Sequence, residues 1–235
     1  MSEPLDIPPN AEAGALRIAL RTAVILLAFT LAFTAFMSAA WQLTAKRIAI
    51  SAEAEKLGLI GAVLAPSFYG NALLDDAIVL PPQAALGLDE EARLFRARKH
   101  GKPVALVFEA VARDGYAGPI RLLLAVSNDG RLLAVRVTRH KETPGLGDYI
   151  DPKKDRNKAR PWITQFADLD FDRLPAERWR VKKDGGQFDQ RAGATISARA
   201  VTNATRQALL WVLPRRDKLF ALPSGTRFTD QGSPP

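Results

Sequence analysis

The chain has 235 residues, 47% of them apolar, which suits one globular domain with a hydrophobic core and one additional element. It contains no cysteine, which excludes disulfides, thiol chemistry and cysteine ligation of an iron–sulfur cluster by this chain. The formal net charge of +8 fits nucleic acid, an anionic membrane surface or a phosphate-bearing ligand, and does not choose among them.

A membrane anchor is the first predicted element. No charged side chain interrupts residues 22–45, which are dominated by Ala, Val, Ile, Leu and Phe and include Trp41 near their end. Because about twenty helical residues span roughly 30 Å, close to the hydrocarbon thickness of a bilayer, we predict a transmembrane helix over residues 17–45 after a polar tail over residues 1–16. A cleaved signal peptide, with Ser38-Ala39-Ala40 as the cleavage site, is the alternative, although the apolar run is long for one.

Basic residues flank this helix on both sides, with Arg17 and Arg21 before it and Lys46 and Arg47 after it. The positive-inside rule therefore assigns no orientation. A membrane anchor also argues against nucleic acid as a partner.

The segment from residue 46 to residue 100 is predicted to form a helix followed by loops. Residues 46–62 are rich in Ala, Glu, Lys and Leu with few helix breakers, whereas three prolines between residues 66 and 82 mark a loop-rich connection. The basic cluster over residues 96–102, which includes His100, is interpreted as surface.

Strands are predicted to begin at Pro103. Every second residue from Ile120 to Val126 is a large apolar one, and Asn128-Asp129-Gly130 then gives a strong hairpin signal before the alternation resumes. The return strand leads directly into His140. The loop that follows is therefore predicted to lie at the end of a hairpin, a rigid place from which to present side chains.

An amphipathic helix is predicted from Ile196 to Leu213, with apolar residues spaced four apart on one face and Pro214 ending it. Residues 222–235 are rich in Pro, Gly and Ser and are predicted to be a mobile tail. These elements predict an α+β fold: a single N-terminal anchor, then one domain, centred on residues 101–221, with a mainly antiparallel sheet and packed helices.

The first motif is a loop that reads His-Lys-Glu-Thr-Pro-Gly-Leu-Gly-Asp from His140 to Asp148. Its proline fixes one backbone dihedral, and its two glycines permit conformations closed to other residues. Its side chains offer hydrogen-bonding groups before the turn and one leucine that can lie against an aromatic ring. An ordinary tight turn also explains the Pro-Gly pair, but the whole string is far more specific.

The second motif reads Asp-Gln-Arg-Ala-Gly-Ala-Thr from Asp189 to Thr195 and opens the predicted helix. The first turn of a helix has unpaired N–H groups and a partial positive charge, and both stabilise a phosphate. Gly193 and Ala194 are small enough for a close approach, and Lys182 and Lys183 could add positive charge. An ordinary helix cap, made by the threonine, explains the same tripeptide.

Together the two motifs resemble the FMN-binding domain of the G subunit of Rnf-type electron transport complexes and of the C subunit of the sodium-pumping quinone reductase. The first motif resembles the Rnf version more closely. The second follows a family pattern of Asp, two residues, Ser or Thr, and Gly-Ala-Thr, from which Ala192 departs. In that family the final threonine carries FMN through a phosphoester bond, which implies covalent FMN at Thr195. Ser197 is a nearby alternative hydroxyl.

The resemblance implies a membrane-anchored flavoprotein that relays electrons within an ion-translocating ferredoxin/NAD complex. It implies iron–sulfur and membrane subunits as partners and a flavin transferase during maturation. It also places the domain on the periplasmic side of the inner membrane, with residues 1–16 in the cytoplasm. No nucleophile–base pair or metal-ligand spacing stands out, so we expect no metal site and no independent catalysis by this chain. The predicted FMN-binding residues are His140, Glu142, Thr143, Leu146, Gly147, Asp189, Gly193, Ala194 and Thr195.

Three alternatives remain open at this point. The chain could be the equivalent subunit of a sodium-pumping quinone reductase. It could be a flavin-free membrane-anchored assembly or binding module, for which the departure at Ala192 is the one hint. It could also be a basic peripheral protein that binds anionic lipid, in which case binding would collapse with added salt.

Overall fold

The computed structural model describes residues 9–229 in two compact units, divided between residues 55 and 56. Part of the predicted N-terminal tail, residues 1–8, lies outside the described residues. Helix α1 runs from Pro9 to Gly61. Its stretch from Gly14 to Ala45 has a mean hydropathy of 2.2 and none of it is buried, so it is long and apolar enough to cross a membrane.

The second unit is built on a five-stranded antiparallel sheet whose strands are neighbours in chain order. The hairpin of the last two strands, around Asn128-Asp129-Gly130, forms where the sequence predicts it. The strands are β1 (Ala77–Leu80), β2 (Ala92–Lys99), β3 (Lys102–Ala112), β4 (Ile120–Ser127) and β5 (Leu132–Arg139).

Two of these strands lie in a segment that was predicted to contain only a helix and loops, so that prediction is wrong for residues 77–80 and 92–99. Strand β1 is only four residues long and ends against a proline pair. Strand β2 carries four cations, which mask its alternation. The helical prediction for residues 46–62 is confirmed, because α1 continues to Gly61.

The surface interpretation of the basic cluster is also wrong at one position. Arg96 is only 1% exposed and forms an ion pair with Asp76. Its guanidinium also donates to the carbonyl oxygens of Leu219, at 3.3 Å, and Phe220, at 3.4 Å. A buried arginine is stable only when it is paired and hydrogen-bonded in this way. His100, at the β2–β3 turn, is exposed as predicted.

The sheet is covered on both faces. Helix α2 (Thr195–Val212) packs on one face, where Val201 and Leu209 join a core that includes Phe108. The other face packs against the end of α1 and the residues after it, through Ile60 and Leu64. The helix predicted from residue 196 to residue 213 is therefore confirmed within one residue at each end, and a short helix α3 (Arg216–Ala221) follows it.

The predicted mobile tail is wrong for residues 222–229. The backbone of Val79 in β1 bonds to this segment twice, because its N–H donates to the Thr226 carbonyl at 2.9 Å and its carbonyl accepts from the Phe228 N–H at 2.8 Å. The Phe228 side chain is fully buried. One aromatic anchor and a sheet edge thus outweigh the Pro, Gly and Ser composition. Residues 230–235 lie outside the described residues.

Candidate functional site

The first motif meets helix α2, which the second motif opens, at the carboxylate of Glu142, and Glu142 is only 3% exposed. The Ser197 hydroxyl, in the first turn of α2, donates a hydrogen bond to this carboxylate. The Ala117 N–H, in the loop before β4, donates to it at 3.1 Å. One buried acid therefore ties together the first motif, helix α2 and the loop over residues 115–118.

Two glycines are required by the close packing around Glu142. A Cβ atom on Gly147 would lie 2.5 Å from Ser197 Oγ and 2.8 Å from Glu142 Oε2. A Cβ atom on Gly115 would lie 2.2 Å from the Gly118 carbonyl oxygen. The second glycine of the first motif is thus explained by close approach to α2 and to the acid, more than by backbone freedom.

The rest of the first motif folds back on itself. His140 Nδ1 accepts a hydrogen bond from the Glu142 N–H at 3.1 Å. The Gly147 N–H donates to the Thr143 carbonyl at 3.1 Å, which closes the turn. His140 therefore orients its own loop, and Leu146 is left 52% exposed at the tip.

Thr195 occupies the first helical position of α2 and is not the helix cap. The cap position is Ala194, whose side chain has no hydrogen-bonding group. Gly193 before it has a φ of 80°, in the left-handed region that favours glycine. The ordinary explanation of the threonine as a cap is therefore excluded by the geometry. Within residues 9–229 the Thr195 hydroxyl has no hydrogen-bond partner.

The start of α2 fits a phosphate. An alanine cap leaves the N–H groups of the first turn without a side-chain acceptor, and the helix adds a partial positive charge there. A Cβ atom on Gly193 would meet nothing within 4 Å, so the space beside this backbone is open. Ser197, the alternative hydroxyl, is buried and already donates to Glu142, whereas Thr195 is partly exposed, which favours Thr195 as the acceptor.

The two lysines near the second motif have different surroundings. Lys182 Nζ forms an ion pair with Asp189 at 2.5 Å, so the aspartate of the second motif is bonded to the short turn over residues 182–184. Asp184 in that turn accepts a two-pronged bond from Arg199 on α2, at 2.6 and 2.8 Å, and this lowers the pKa of the Asp184 carboxyl. Lys183 forms no ion pair within 4 Å among residues 9–229, and its charge helps to lower the pKa of Asp184.

Three large side chains with apolar surface stand exposed around the Glu142 junction. Tyr116 is 68% exposed, Leu146 52% and Ile196 43%. Each is next in sequence to a residue that takes part in this junction, namely Ala117, Gly147 or Ser197. Ile196 begins the apolar face predicted for its helix, and here its side chain is exposed. Exposed apolar side chains of this kind are groups against which an aromatic ring can pack.

The sequence did not point to the segment that supports the second motif, residues 149–162. Tyr149, Asp155 and Trp162 bond to residues between Asp189 and Ala194. The one available signal was Arg191 inside the motif, since an arginine so close to a predicted phosphate site needs a partner. Among residues 9–229, no group of three or more His, Asp or Glu side chains is arranged to hold a metal ion.

Comparison with known proteins agrees with this geometry. Residues 115–210 match the family model of the FMN-binding domain. The G subunit of the ion-translocating oxidoreductase complex from Pseudomonas aeruginosa strain UCBPP-PA14 is 39% identical over 210 residues, which cover 89% of this chain and 96% of that protein. The same subunit from Escherichia coli O157:H7 is 40% identical over 202 residues, 86% and 94% of the two chains. The G subunit from Shewanella loihica is 36% identical over 208 residues, which cover 88% of this chain and 96% of that protein.

Fold and site thus define a protein with an FMN-binding domain of α+β architecture. The chain belongs to the family of the G subunit of the ion-translocating oxidoreductase complex. The resemblance drawn from the two motifs is confirmed, and so is the predicted fold class. The individual FMN contacts remain predictions.

Proposed function

We propose that this chain is the membrane-anchored flavoprotein subunit of an ion-translocating oxidoreductase complex, in which it relays electrons through FMN carried covalently on Thr195. The observation that carries the proposal is the Thr195 hydroxyl at the first turn of α2, which has no partner within residues 9–229 and whose helix is joined to the first motif through Ser197 and Glu142. Bound FMN supplies the exchange between two-electron and one-electron carriers.

Attachment is a phosphoryl transfer catalysed by a separate flavin transferase. The donor is an activated FMN whose phosphate is part of a phosphoanhydride. A bond forms between Thr195 Oγ and phosphorus, the anhydride P–O bond breaks, a phosphate monoester leaves and the hydroxyl proton goes to solvent. The net gain in mass is FMN minus one water, with no change of oxidation state.

The chain's own residues hold the group at both ends. The first-turn N–H groups of α2 and the Lys183 ammonium stabilise the phosphate charge. Leu146 and Ile196, with Tyr116 across the junction, present apolar surface to one face of the ring. Glu142 is buried beneath them and keeps the three segments that carry these side chains together.

Helix α1 supports anchoring in a membrane, and the names of the relatives support assembly with the other subunits of the complex. We further propose that the domain lies on the periplasmic side of the inner membrane, since a covalent link retains FMN where the free cofactor is scarce. Residues 1–16 then lie in the cytoplasm and residues 17–45 span the bilayer.

A single substitution tests the attachment site. Thr195→Val removes the acceptor oxygen and keeps the size and branching of the side chain, so the fold should persist. We expect the full-length protein, expressed with a flavin transferase, to show in-gel flavin fluorescence after denaturation, and the variant to show none. Thr138→Val, an exposed threonine on β5 outside both motifs, is the matched control and should fluoresce like the wild type. Flavin retained through denaturation in Thr195→Val would contradict the assignment.

A further inference from the structure

The loop over residues 189–194, which leads directly into Thr195, is held at both ends by one neighbouring segment, residues 149–162. At its start, the Trp162 indole N–H donates to the Asp189 carbonyl at 2.6 Å. At its end, the Tyr149 hydroxyl donates to the Ala194 carbonyl at 3.3 Å. The bond to Ala194 is therefore made one residue before Thr195, at the point where the backbone enters α2.

The middle of the loop is held by Arg191. The backbone N–H of Arg191 donates to the Tyr149 hydroxyl oxygen at 3.2 Å, and the Arg191 guanidinium lies 4.5 Å from the centroid of the Tyr149 ring. The same guanidinium forms an ion pair with Asp155. Tyr149 therefore contacts the loop in three ways: through its ring, as a donor and as an acceptor.

Asp155 is a buried carboxylate, 1% exposed, and both of its oxygens accept hydrogen bonds. Besides the bond from the Arg191 guanidinium, Asp155 accepts hydrogen bonds from the backbone N–H of Trp162 at 2.6 Å and the backbone N–H of Asn157 at 3.0 Å. A buried carboxylate left without its cation is strongly destabilised, so this pair resists opening. The loop is thus fixed by a network whose members all depend on one another.

We propose that Tyr149, Asp155, Trp162 and Arg191 form an attachment-loop brace, a set of positioning residues that fix the direction in which Thr195 presents its FMN. The inference rests on the proposed covalent attachment and adds what that attachment does not supply. A phosphoester leaves several rotatable bonds between Thr195 and the flavin ring, so the bond alone retains the cofactor without orienting it. Orientation requires a rigid point of attachment as well as a surface for the ring.

The brace is open to solvent on one side, which allows it to be repaired chemically. A cavity of about 380 Å³ is lined by Asp155, Arg160, Trp162, Asp189 and Arg191. Replacing Arg191 by alanine would leave the buried Asp155 facing this cavity without its cation. A small guanidinium compound can then reach the carboxylate from solvent and take the place of the missing side chain.

The test uses full-length protein in detergent, loaded by a flavin transferase. Fluorescence anisotropy of the attached flavin reports how freely the ring moves, and the midpoint potential reports its surroundings. For Arg191→Ala we expect an anisotropy closer to that of the urea-unfolded flavoprotein than to that of the native wild type, together with a shifted potential. Added methylguanidinium should restore both, and should leave the wild type unchanged.

Two further variants separate positioning from general stability. Tyr149→Phe keeps the ring beneath Arg191 and removes only the hydroxyl, so it should fold and lose part of the anisotropy. Arg227→Ala removes an exposed ion pair with Glu91, 2.7 Å long, from the opposite edge of the sheet and should change neither readout. A brace variant that melts like the wild type but cannot be loaded would also support the inference, because the loop geometry would then be needed at the attachment step.

The results that contradict the inference are distinct from those that contradict covalent attachment. Loaded Arg191→Ala and Tyr149→Phe with the anisotropy and potential of the wild type would overturn the brace and leave the attachment intact. A wild-type protein that gains no flavin in the presence of an active transferase would overturn both.

Discussion

At the scale of single residues, the site depends on small groups placed where larger ones do not fit. Glu142 is buried between two hydrogen-bond donors from separate segments, and Gly147 lets α2 approach it. Thr195 is useful because it is left unpartnered by its neighbours within residues 9–229. The residue before it caps the helix without a side-chain bond, so the first turn of α2 keeps its capacity for a phosphate.

Glu142→Gln should destabilise the domain by about 1–3 kcal/mol, the usual cost of leaving a buried donor without its acceptor. An amide keeps the shape but offers one acceptor oxygen to the two donors, Ser197 and Ala117. The free energy of unfolding in urea measures the loss. Glu109→Gln is the control, because this half-exposed acid makes only a 3.7 Å ion pair with Arg121, and it should stay within about 0.5 kcal/mol of the wild type. Equal stabilities for the two variants would contradict the role given to Glu142.

At the scale of elements, the hairpin and α2 could be predicted because their signals are local. The turn Asn128-Asp129-Gly130 and the apolar spacing along α2 can each be recognised from a stretch of about twenty residues. The brace could not be predicted, since Arg191 meets Asp155 across 36 residues and Tyr149 across 42. Nothing in a local pattern specifies which distant carboxylate an arginine will find.

The same reasoning explains the buried basic strand and the ordered C-terminal segment. Arg96 was interpreted as surface because its neighbours are charged, yet Asp76, twenty positions upstream, supplies its counter-charge. Phe228 was overlooked inside a stretch of turn-forming residues. Composition reports the average tendency of a segment, whereas one buried side chain is enough to fix its position.

Phe228→Ala should destabilise the domain by about 3–5 kcal/mol, because it empties a fully buried aromatic site and frees the segment that covers β1. Chemical unfolding followed by tryptophan fluorescence is a direct measurement, as Trp211 lies 5.7 Å from this ring, centroid to centroid. Phe68→Ala, at a position 47% exposed, should cost far less. A stable Phe228→Ala variant would show that residues 222–229 do not contribute to the fold.

At the scale of the whole molecule, two buried or half-buried carboxylates make stability depend on pH. Burial by itself raises the pKa of Asp155, but the N–H groups of Trp162 and Asn157 and the charge of Arg191 lower that pKa below its usual value. Burial likewise raises the pKa of Asp76, but the hydrogen bonds of Arg98 and Ser224 and the charge of Arg96 lower it by more, so the net result is a decrease. Both groups are therefore ionised more readily in the folded state.

A carboxylate with a depressed pKa binds its proton more tightly in the unfolded chain, so its stabilising contribution is complete above about pH 4 and is lost as the pH falls through the folded value. We expect the urea midpoint to decrease below about pH 4. Asp155→Asn and Asp76→Asn should each be less stable at neutral pH and show a shallower acid dependence. An unchanged slope in both variants would mean that other groups govern acid unfolding.

The most direct test of covalent attachment is the mass of one tryptic peptide. Cleavage after Arg191 and Arg199 releases residues 192–199, which contain both Thr195 and Ser197. For protein matured with a flavin transferase, we predict that this peptide gains the mass of FMN minus one water and that fragmentation places the gain on Thr195. A peptide of unmodified mass, or a gain placed on Ser197, would contradict the account.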